Sequence, residues 1–255
     1  LAKKLNEKNQ ERQRLTNKII QEIEAKIKIK EEKLVFEGDE NWPIGIVGLI
    51  AGRLRDRYYR PSLIYQKMKN ISKGSARSID SFNIVEAISD CKELLEDFGG
   101  HPAAAGFTVS NKNLEKFRKK LLKIAEKSIK KEDLIPALNI DLEVEPEDLS
   151  FEAYEEIQRF APFGEENVEP LFLMKGLKVS NLKIVGNSGN HLKCYLTKEL
   201  KDGGTKGFQA IGFCFSDFCD KIKQGDKIDV VFELITDEWN GTRELQLKIV
   251  DLKKL

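Results

Sequence analysis

The sequence predicts an α/β domain followed by an all-β, barrel-like domain, with a long helix in front of them. Three observations carry this prediction. An apolar stripe at helical spacing runs through residues 1–32. Strand-like and helix-like segments alternate through residues 33–134, and β-rich runs fill residues 135–255. We therefore expect a helix at 1–32, an α/β domain at 33–134 and a β domain at 135–255.

The first segment is predicted to be one helix because apolar residues recur mostly at multiples of four, as at Leu15, Ile19, Ile23 and Ile27. At roughly 1.5 Å per residue it would reach about 45 Å, which is typical of a connector between domains. A self-associating coiled coil is the alternative, but the gap between Leu5 and Leu15 breaks the heptads.

The α/β domain is predicted from alternating patterns. Pro43 suits the first turn of a helix that runs to about Tyr58. Gly45, Gly48 and Gly52 share one side of that helix and would permit close packing on a sheet. The other predicted elements are strands at 34–36, 61–66, 76–79 and 106–109, a helix at 83–98, and a last helix at 111–131 capped by Asn111.

The second domain is predicted from five β-rich runs, at 171–185, 191–197, 208–215, 228–235 and 244–252. A strand at 138–144 and a short helix at 151–160 precede them, and a helical piece is expected near 216–222. Asn240-Gly241 is a strong hairpin signal. Five such strands fit an oligonucleotide-binding (OB) barrel, although the pattern alone also allows a barrel that binds nothing.

The composition narrows the class of protein. No apolar run approaches the roughly 20 residues of a membrane-spanning helix, and we expect no secretory signal. Four cysteines without a framework spacing indicate reduced thiols in a cytoplasmic protein. His191-x-x-Cys194 and Cys214-x4-Cys219 resemble zinc ligands, but Cys194 and Cys214 lie in apolar strand patterns, so no metal site is expected. The chain begins inside a helical pattern, and we expect it to be a piece of a longer protein.

The net charge of +1 hides a separation of charge along the chain. Lys and Arg outnumber acids by nine to four in 1–30, by eight to two in 47–80 and by nine to two in 111–131. Basic segments are candidate phosphate-binding surfaces. Interleaved Arg and Tyr favour binding at 47–80, whereas 111–131 is typical of a solvated helix face. Residues 139–170 hold eleven acids and one base, so they should face away from DNA or contact another domain.

The most informative motif is Gly99-Gly100-His101-Pro102-Ala103-Ala104-Ala105-Gly106-Phe107. Two adjacent glycines can expose backbone N–H groups in a nest for phosphate, and the imidazole can donate a hydrogen bond at its rim. The small residues that follow allow close packing behind it. From the residues alone, a helix C-cap that leads into a tight turn and a strand is the alternative.

This motif resembles the signature of the DHH-associated domain, in the version found in the RecJ family of single-strand-specific exonucleases. Three further segments match in the same order. Residues 45–54 with 57–61 resemble the opening helix and strand, 74–78 the second ligand-contacting segment, and 162–172 the junction into an OB barrel. The resemblance covers most of the chain and implies a connector helix, a DHH-associated α/β domain and an OB-fold domain.

The resemblance also implies a ligand site on the α/β domain. The resemblance implies that Arg77 contacts a phosphate and that His101 contacts the phosphate beside the scissile bond. Ser75 would contribute its hydroxyl, Gly74 would allow close approach, and Gly99 and Gly100 would contribute their amides. Arg53 would support these contacts. From the residues alone, Arg77 could instead form a surface salt bridge with Asp80, and Ser75 could be a turn residue. If Arg77 does contact a phosphate, the fork geometry of its guanidinium suits that role.

In the barrel, a single strand would be held by a basic groove with aromatic rings under the bases. Phe213 and Phe215 share one strand face and are expected in the core, whereas Trp239 at the hairpin tip is expected to be exposed. The candidate rings are Tyr195, Phe208, Phe213, Phe215 and Trp239, and the candidate cations are Lys178, Lys183, Lys193 and Lys206.

The implied function is strand binding and end positioning in a 5′→3′ exonuclease that degrades single-stranded DNA in recombination and repair. The ligands for Mn²⁺ or Mg²⁺ would lie in a separate DHH domain, because no Asp-His-His run occurs here. The expected partners are single-stranded DNA and that domain, with single-strand-binding protein or a helicase as candidate protein partners. The alternatives are a DHH phosphodiesterase for oligoribonucleotides or cyclic dinucleotides, against which the barrel argues, and a non-catalytic scaffold.

Overall fold

The structure, a computed structural model, describes residues 1–186, 189–239 and 241–255, and only the backbone of Trp239. Contacts between Cα atoms divide the chain into two units, Leu1–Ala137 and Leu138–Leu255. Among the described helices, none is both long and apolar enough to cross a membrane.

The first unit is a five-stranded sheet with helices on both sides. Its elements are α1 (Ala2–Lys26), β1 (Val35–Asp39), α2 (Ile44–Tyr58), β2 (Ser62–Lys67), β3 (Ile71–Arg77), α3 (Ile84–Ser89), β4 (Leu95–His101), β5 (Ala104–Ser110) and α4 (Leu114–Ser128). The strand order is β1-β2-β3-β5-β4, with β1 and β2 parallel and the other neighbours antiparallel. Helices α1 and α2 pack on one side of the sheet, and α3 and α4 pack on the other.

Helix α2 follows Pro43 and ends at Tyr58, as predicted. Helix α1 ends at Lys26 rather than at residue 32. Its second half buries Ile19, Ile20 and Ile23 in the same apolar cluster as the core residues of α2. This half of α1 is therefore part of the unit's own core, and the connector role stays a prediction.

The predicted helix at 83–98 was wrong. Asn83 does cap a helix, since its side chain accepts a hydrogen bond from the Glu86 N–H, but this helix ends at Ser89. The chain then enters β4, in which Phe98 lies opposite Phe107 of β5. Pairing with β5 outweighs the helical propensity of the charged residues between them, because strand context routinely overrides such weak preferences.

The predicted N-cap at Asn111 and the predicted strand at 76–79 were also wrong. The Asn111 side chain donates to the Met68 carbonyl at 2.7 Å and accepts from the Ser72 hydroxyl at 2.9 Å. It therefore fastens the β2–β3 turn, while α4 begins at Leu114. Strand β3 spans Ile71–Arg77, so all but the last residue of the predicted ligand-contacting segment 74–78 lies within a strand.

The second unit is a closed five-stranded barrel, as predicted. Its elements are β6 (Leu142–Glu143), α5 (Phe151–Gln158), β7 (Phe172–Val185), β8 (His191–Glu199), β9 (Thr205–Gly212), β10 (Lys227–Trp239) and β11 (Thr242–Lys254). The order β10-β11-β9-β8-β7 closes because β10 also pairs with β7, and β9 and β11 are parallel. This connectivity is that of an OB fold. The predicted hairpin is present as the β10–β11 pair, although Asn240 itself lies outside the described residues.

Two strands of this unit differ from the prediction. Only Leu142–Glu143 of the segment 138–144 forms a strand. Strand β9 ends at Gly212 rather than at Phe215, because Cys214 adopts a left-handed conformation with φ of 62°. In the acidic stretch, Glu143 and Glu145 form ion pairs with Lys175 and Lys198 of the barrel. Part of the acidic charge is thus neutralised within the unit.

The four thiols are expected to differ sharply in reactivity. Burial raises the pKa of Cys91 to about 11 and that of Cys194 to about 12, and it also raises the pKa of Cys219. A raised pKa makes the reactive thiolate scarce, whereas Cys214 is exposed. Brief labelling of the native chain with a maleimide, read by peptide mass spectrometry, should modify Cys214 first and leave Cys91 and Cys194 unmodified. Labelling in urea, where all four should react, is the control, and early native labelling of Cys194 would contradict this packing.

Candidate nucleic-acid interface

The glycine-histidine motif folds as a β-hairpin. Gly99, Gly100 and His101 end β4, Pro102-Ala103 form the turn, and β5 begins at Ala104. The Ala103 carbonyl accepts from the Ser78 N–H at 2.8 Å, and the Pro102 carbonyl accepts from the Ile84 N–H at 3.0 Å. The expected helix C-cap and backbone nest were therefore wrong, because both glycines belong to an extended strand at the sheet edge.

The register of three strands brings the predicted site residues onto one side of the sheet. Ser75, Gly106 and Gly99 lie opposite one another in one row, and Arg77, Ala104 and His101 in the next. Neighbouring strands lie about 4.8 Å apart and alternate residues about 6.7 Å apart, so each row spans about 10 Å. We call these six residues the open face, since it is the side of the sheet that carries α2 but extends beyond it over β5 and β4.

Helix α2 borders this surface with glycines. A Cβ atom at Gly48 would lie 3.2 Å from Ser75 Oγ and 3.4 Å from Arg77 Nη2. At Gly45 and Gly52 such an atom would meet nothing within 4 Å in the described part of the chain. The predicted close packing of this glycine row thus holds only at Gly48, and the other two leave space beside the sheet.

Two glycines of the open face have no packing reason to be glycine. A Cβ at Gly99 would have no described atom within 4 Å, and one at Gly106 would have only the Gly74 carbonyl, at 3.9 Å. Neither has a positive φ. Because glycine weakens a strand, an exposed glycine without such constraints suggests close approach by another molecule.

Gly74 and Gly100, in contrast, are explained by the fold. A Cβ at Gly74 would lie 2.5 Å from the Phe107 ring, on the buried side of the sheet. Gly100 has φ of 154°, and a Cβ there would lie 2.3 Å from the Ala104 carbonyl oxygen. Their predicted contacts with a ligand are therefore not required to account for these glycines.

The open face carries positive donors. Arg77 Nη1 donates to Ser75 Oγ and to the Ala76 carbonyl, both at 2.8 Å. Within the described residues no carboxylate pairs with Arg77, so the alternative salt bridge to Asp80 does not form. His101 is exposed at the end of β4, and Lys73 extends the same side of the sheet by one further step along β3. Sequence reasoning missed Lys73, Ala104 and Gly106 as neighbours, because only the register shows them.

The other basic residues of segment 47–80 do not join this surface. Arg53 Nη1 donates to Asn17 Oδ1 of α1 at 2.6 Å, and Arg57 pairs with Glu24 at 2.7 Å. Arg60 donates to five backbone carbonyls, at Lys30, Glu32, Tyr58, Tyr59 and Leu134. These arginines hold helices and loops together, and binding of phosphate by segment 47–80 stays a prediction.

The barrel places some of its candidate residues on the outer side of β8 and β9. The Tyr195 ring lies over Gly207, where a Cβ would be 2.5 Å from it. Lys193 lies opposite Lys183 and pairs with Asp237 at 3.7 Å. The outer side of β7 and β8 thus combines an aromatic ring with two lysines.

The remaining barrel candidates differ in exposure. Phe208 is buried, as is usual for the inner side of a barrel strand, and Lys206 donates to the Leu149 carbonyl. Phe215 is stacked on Phe218 against the core, but Phe213 is 48% exposed, so its predicted core position was wrong. The side chain of Trp239 lies outside the described residues. Lys178 lies on a different part of the barrel surface, opposite Lys227 of β10.

The described residues do not fit a metal centre. No group of three or more His, Cys, Asp or Glu side chains among them is arranged to hold an ion. Cys194 is buried in the barrel core, and His191 Nδ1 accepts the Cys214 N–H at 3.1 Å. A two-metal hydrolytic site needs several such ligands to converge, and no step through a metal can be placed on these residues.

Comparison with known proteins gives the family. Residues 16–130 match the family model of the DHHA1 domain, and residues 140–251 match that of the RecJ OB domain. The single-stranded-DNA-specific exonuclease RecJ of Bacillus subtilis is 32% identical over 98% of this chain, and that of Thermus thermophilus is 26% identical over 100%. The crystal structure of Thermus thermophilus RecJ in complex with Mn²⁺ superposes with a TM-score of 0.76, at 26% identity over 99% of this chain.

The chain spans about one third of those relatives, since it covers 32% and 35% of the two sequences and 35% of the solved chain. Both halves of the chain have their own family match, and the two matches occur in the order predicted from the motifs. The chain therefore belongs to the RecJ family of the DHH superfamily, and it consists of a DHHA1 domain followed by a RecJ OB domain.

Proposed function

We propose that this chain is the strand-gripping part of a 5′→3′ exonuclease for single-stranded DNA that acts in recombination and repair in the cytoplasm. The observation that carries the proposal is the open face, where two unconstrained glycines form a floor beside the row of Arg77, Ala104 and His101. The names of the relatives, single-stranded-DNA-specific exonucleases, support the same substrate class.

On the open face, the backbone of the strand would lie against Gly99 and Gly106. Arg77 uses one nitrogen to hold Ser75 and has further N–H groups for a phosphate oxygen. Because Ser75 Oγ accepts from Arg77, its own proton is available for a second phosphate contact. His101, about 10 Å across the strands from Arg77, would donate to the phosphate beside the scissile bond and position it.

On the barrel, the Tyr195 ring would stack under a base, and Lys183 and Lys193 would lie near the backbone. The Tyr195 ring packs over Gly207 and is only half-buried, so part of it is available for stacking of this kind. Trp239 stays a candidate for a further stack at the hairpin.

The chemistry itself would come from a DHH catalytic domain, to which this chain presents the strand. Mn²⁺ or Mg²⁺ would be held there rather than by the described residues, and both ions occur in crystal structures of the Thermus thermophilus relative. The RecJ OB match favours this function over a phosphodiesterase for oligoribonucleotides or cyclic dinucleotides. Single-strand-binding protein or a helicase are candidate further partners.

Binding of the chain to labelled oligonucleotides tests this proposal. We expect preference for a single strand over a duplex and over a cyclic dinucleotide. Affinity should fall steeply between about 50 and 200 mM salt, because displaced counterions drive phosphate binding. The measurement is fluorescence anisotropy across the salt series. Absence of single-strand affinity at low salt, or tighter binding of the dinucleotide, would contradict the proposal.

A further inference from the structure

We propose that Phe213 and His191 form a nucleotide-binding subsite at one end of the barrel's outer surface, in which a base stacks on Phe213 and His191 donates to the same nucleotide. The proposal deepens the single-strand binding proposed above and rests on it. The ligand class is an unpaired nucleotide within a polynucleotide strand.

The two rings meet just beyond the last pair of the β8–β9 ladder. Leu192 lies opposite Gly212, so His191 and Phe213 are the next pair of neighbours across the two strands. Their ring centroids are 5.3 Å apart and the planes are inclined by 72°, an edge-to-face contact. This geometry is a favourable aromatic arrangement and holds the Phe213 ring in place while leaving much of it exposed.

His191 is fixed by two further contacts. Its Nδ1 accepts the Cys214 N–H at 3.1 Å, so the neutral ring carries its proton on Nε2 and can donate from there. Its other edge packs on Gly186, where a Cβ would lie 2.7 Å from His191 Cδ2. Gly186 has φ of 91°, a conformation that favours glycine. The imidazole is thus preorganised before any ligand binds.

Phe213 points outward because it follows the inward-facing Gly212, and the residue after it has a costly backbone conformation. Cys214 has φ of 62°, which is uncommon for a residue other than glycine. This turn lets Phe215 pack on the core while Phe213 remains 48% exposed. Strained conformations of this kind cluster at functional sites, and here the strained residue directly follows an exposed ring beside a fixed donor.

The subsite continues the surface already proposed for the strand. Along β8 the outward residues are His191, Lys193 and Tyr195, at steps of about 6.7 Å. Lys183 lies beside Lys193 on β7. The order is thus ring, cation, ring, which is the pattern expected where successive bases stack and the backbone passes lysines. A polynucleotide fits this arrangement because it offers both groups at regular intervals.

Variants at Phe213 test the subsite by their effect on oligonucleotide affinity and on its salt dependence. Phe213→Ala and Phe213→Leu should weaken single-strand binding by about 5- to 100-fold, the range for loss of one stacked base. The slope of log affinity against log salt should not change, because stacking releases no counterions. Phe213→Trp should retain affinity, and His191→Ala should weaken it. Phe160→Ala, at a ring 72% exposed in the same unit, is the matched control.

Unfolding curves for each variant separate loss of fold from loss of binding, and Phe213→Leu keeps an apolar side chain while removing the ring. If Phe213→Ala and Phe213→Leu bind as tightly as the parent chain, or if Phe160→Ala loses as much, the subsite is wrong while the proposed function stands. If the parent chain itself binds no single strand, the proposed function fails and the subsite fails with it.

Discussion

Replacing Arg77 by alanine is expected to weaken single-strand binding by about 10- to 100-fold, because a hydrogen bond to a charged group contributes about 1.5–3 kcal/mol. Arg77 lies on the open face with no carboxylate partner in the described part of the chain, so its charge is available for phosphate. The salt slope should also decrease by about 0.7, the value for one contact with a single strand. Anisotropy titrations across a salt series measure both quantities.

Two variants sharpen this result. Arg77→Lys keeps the charge but loses the fork, so it should recover only part of the affinity. Lys119→Ala removes an exposed cation from α4, on the other side of the sheet, and should have little effect. Equal losses for Arg77→Ala and Lys119→Ala would mean that general charge, rather than the open face, drives binding.

Replacing Gly106 by valine is expected to lower single-strand affinity by at least about tenfold while leaving the fold intact or more stable. The new side chain has space, since the only described atom within 4 Å of its Cβ would be the Gly74 carbonyl oxygen, at 3.9 Å. Valine is also favoured in strands, and glycine in such a position costs about 0.5–1 kcal/mol. Its methyl groups, however, would occupy the floor on which the backbone lies, and would displace it from Arg77.

The matched control for this substitution is Ser110→Val, on the same strand and side but four residues away. It should change neither the affinity nor the unfolding midpoint by much, since surface substitutions usually shift stability by no more than about 0.5 kcal/mol. Unchanged binding by Gly106→Val, with a normal unfolding curve, would show that no ligand approaches this floor.

Short-range sequence signals were sufficient to predict elements whose ends are marked by proline or by a turn glycine. Pro43 predicted the start of α2, and Asn240-Gly241 predicted the β10–β11 pair, because proline and turn glycine act through the backbone of their own segment. The failure at 83–98 has the opposite cause. The charged residues after Asp90 are compatible with a helix, and only the partner strand β5 makes them extended.

The candidate site was predictable as a set of residues but not as a geometry. The motif and segment 74–78 pointed to the correct strands, yet adjacent residues of a strand face opposite sides of the sheet. That alternation separates Gly74, packed under Phe107, from Ser75 and Arg77 on the open face. It also depends on register, which sequence alone does not reveal. Phe213 was placed in the core because it was assigned to one strand face with Phe215, whereas the left-handed Cys214 turns only Phe215 toward the core.

The most direct test of the central claim is an NMR titration of the ¹⁵N-labelled chain with a single-stranded oligonucleotide. If the open face holds the strand, the largest amide shift changes in the first unit should fall on Ser75, Arg77, Gly99, His101 and Gly106. Residues on α4 should remain unchanged, because that helix lies on the other side of the sheet. Shift changes confined to the barrel, with none on these five amides at saturation, would contradict the account.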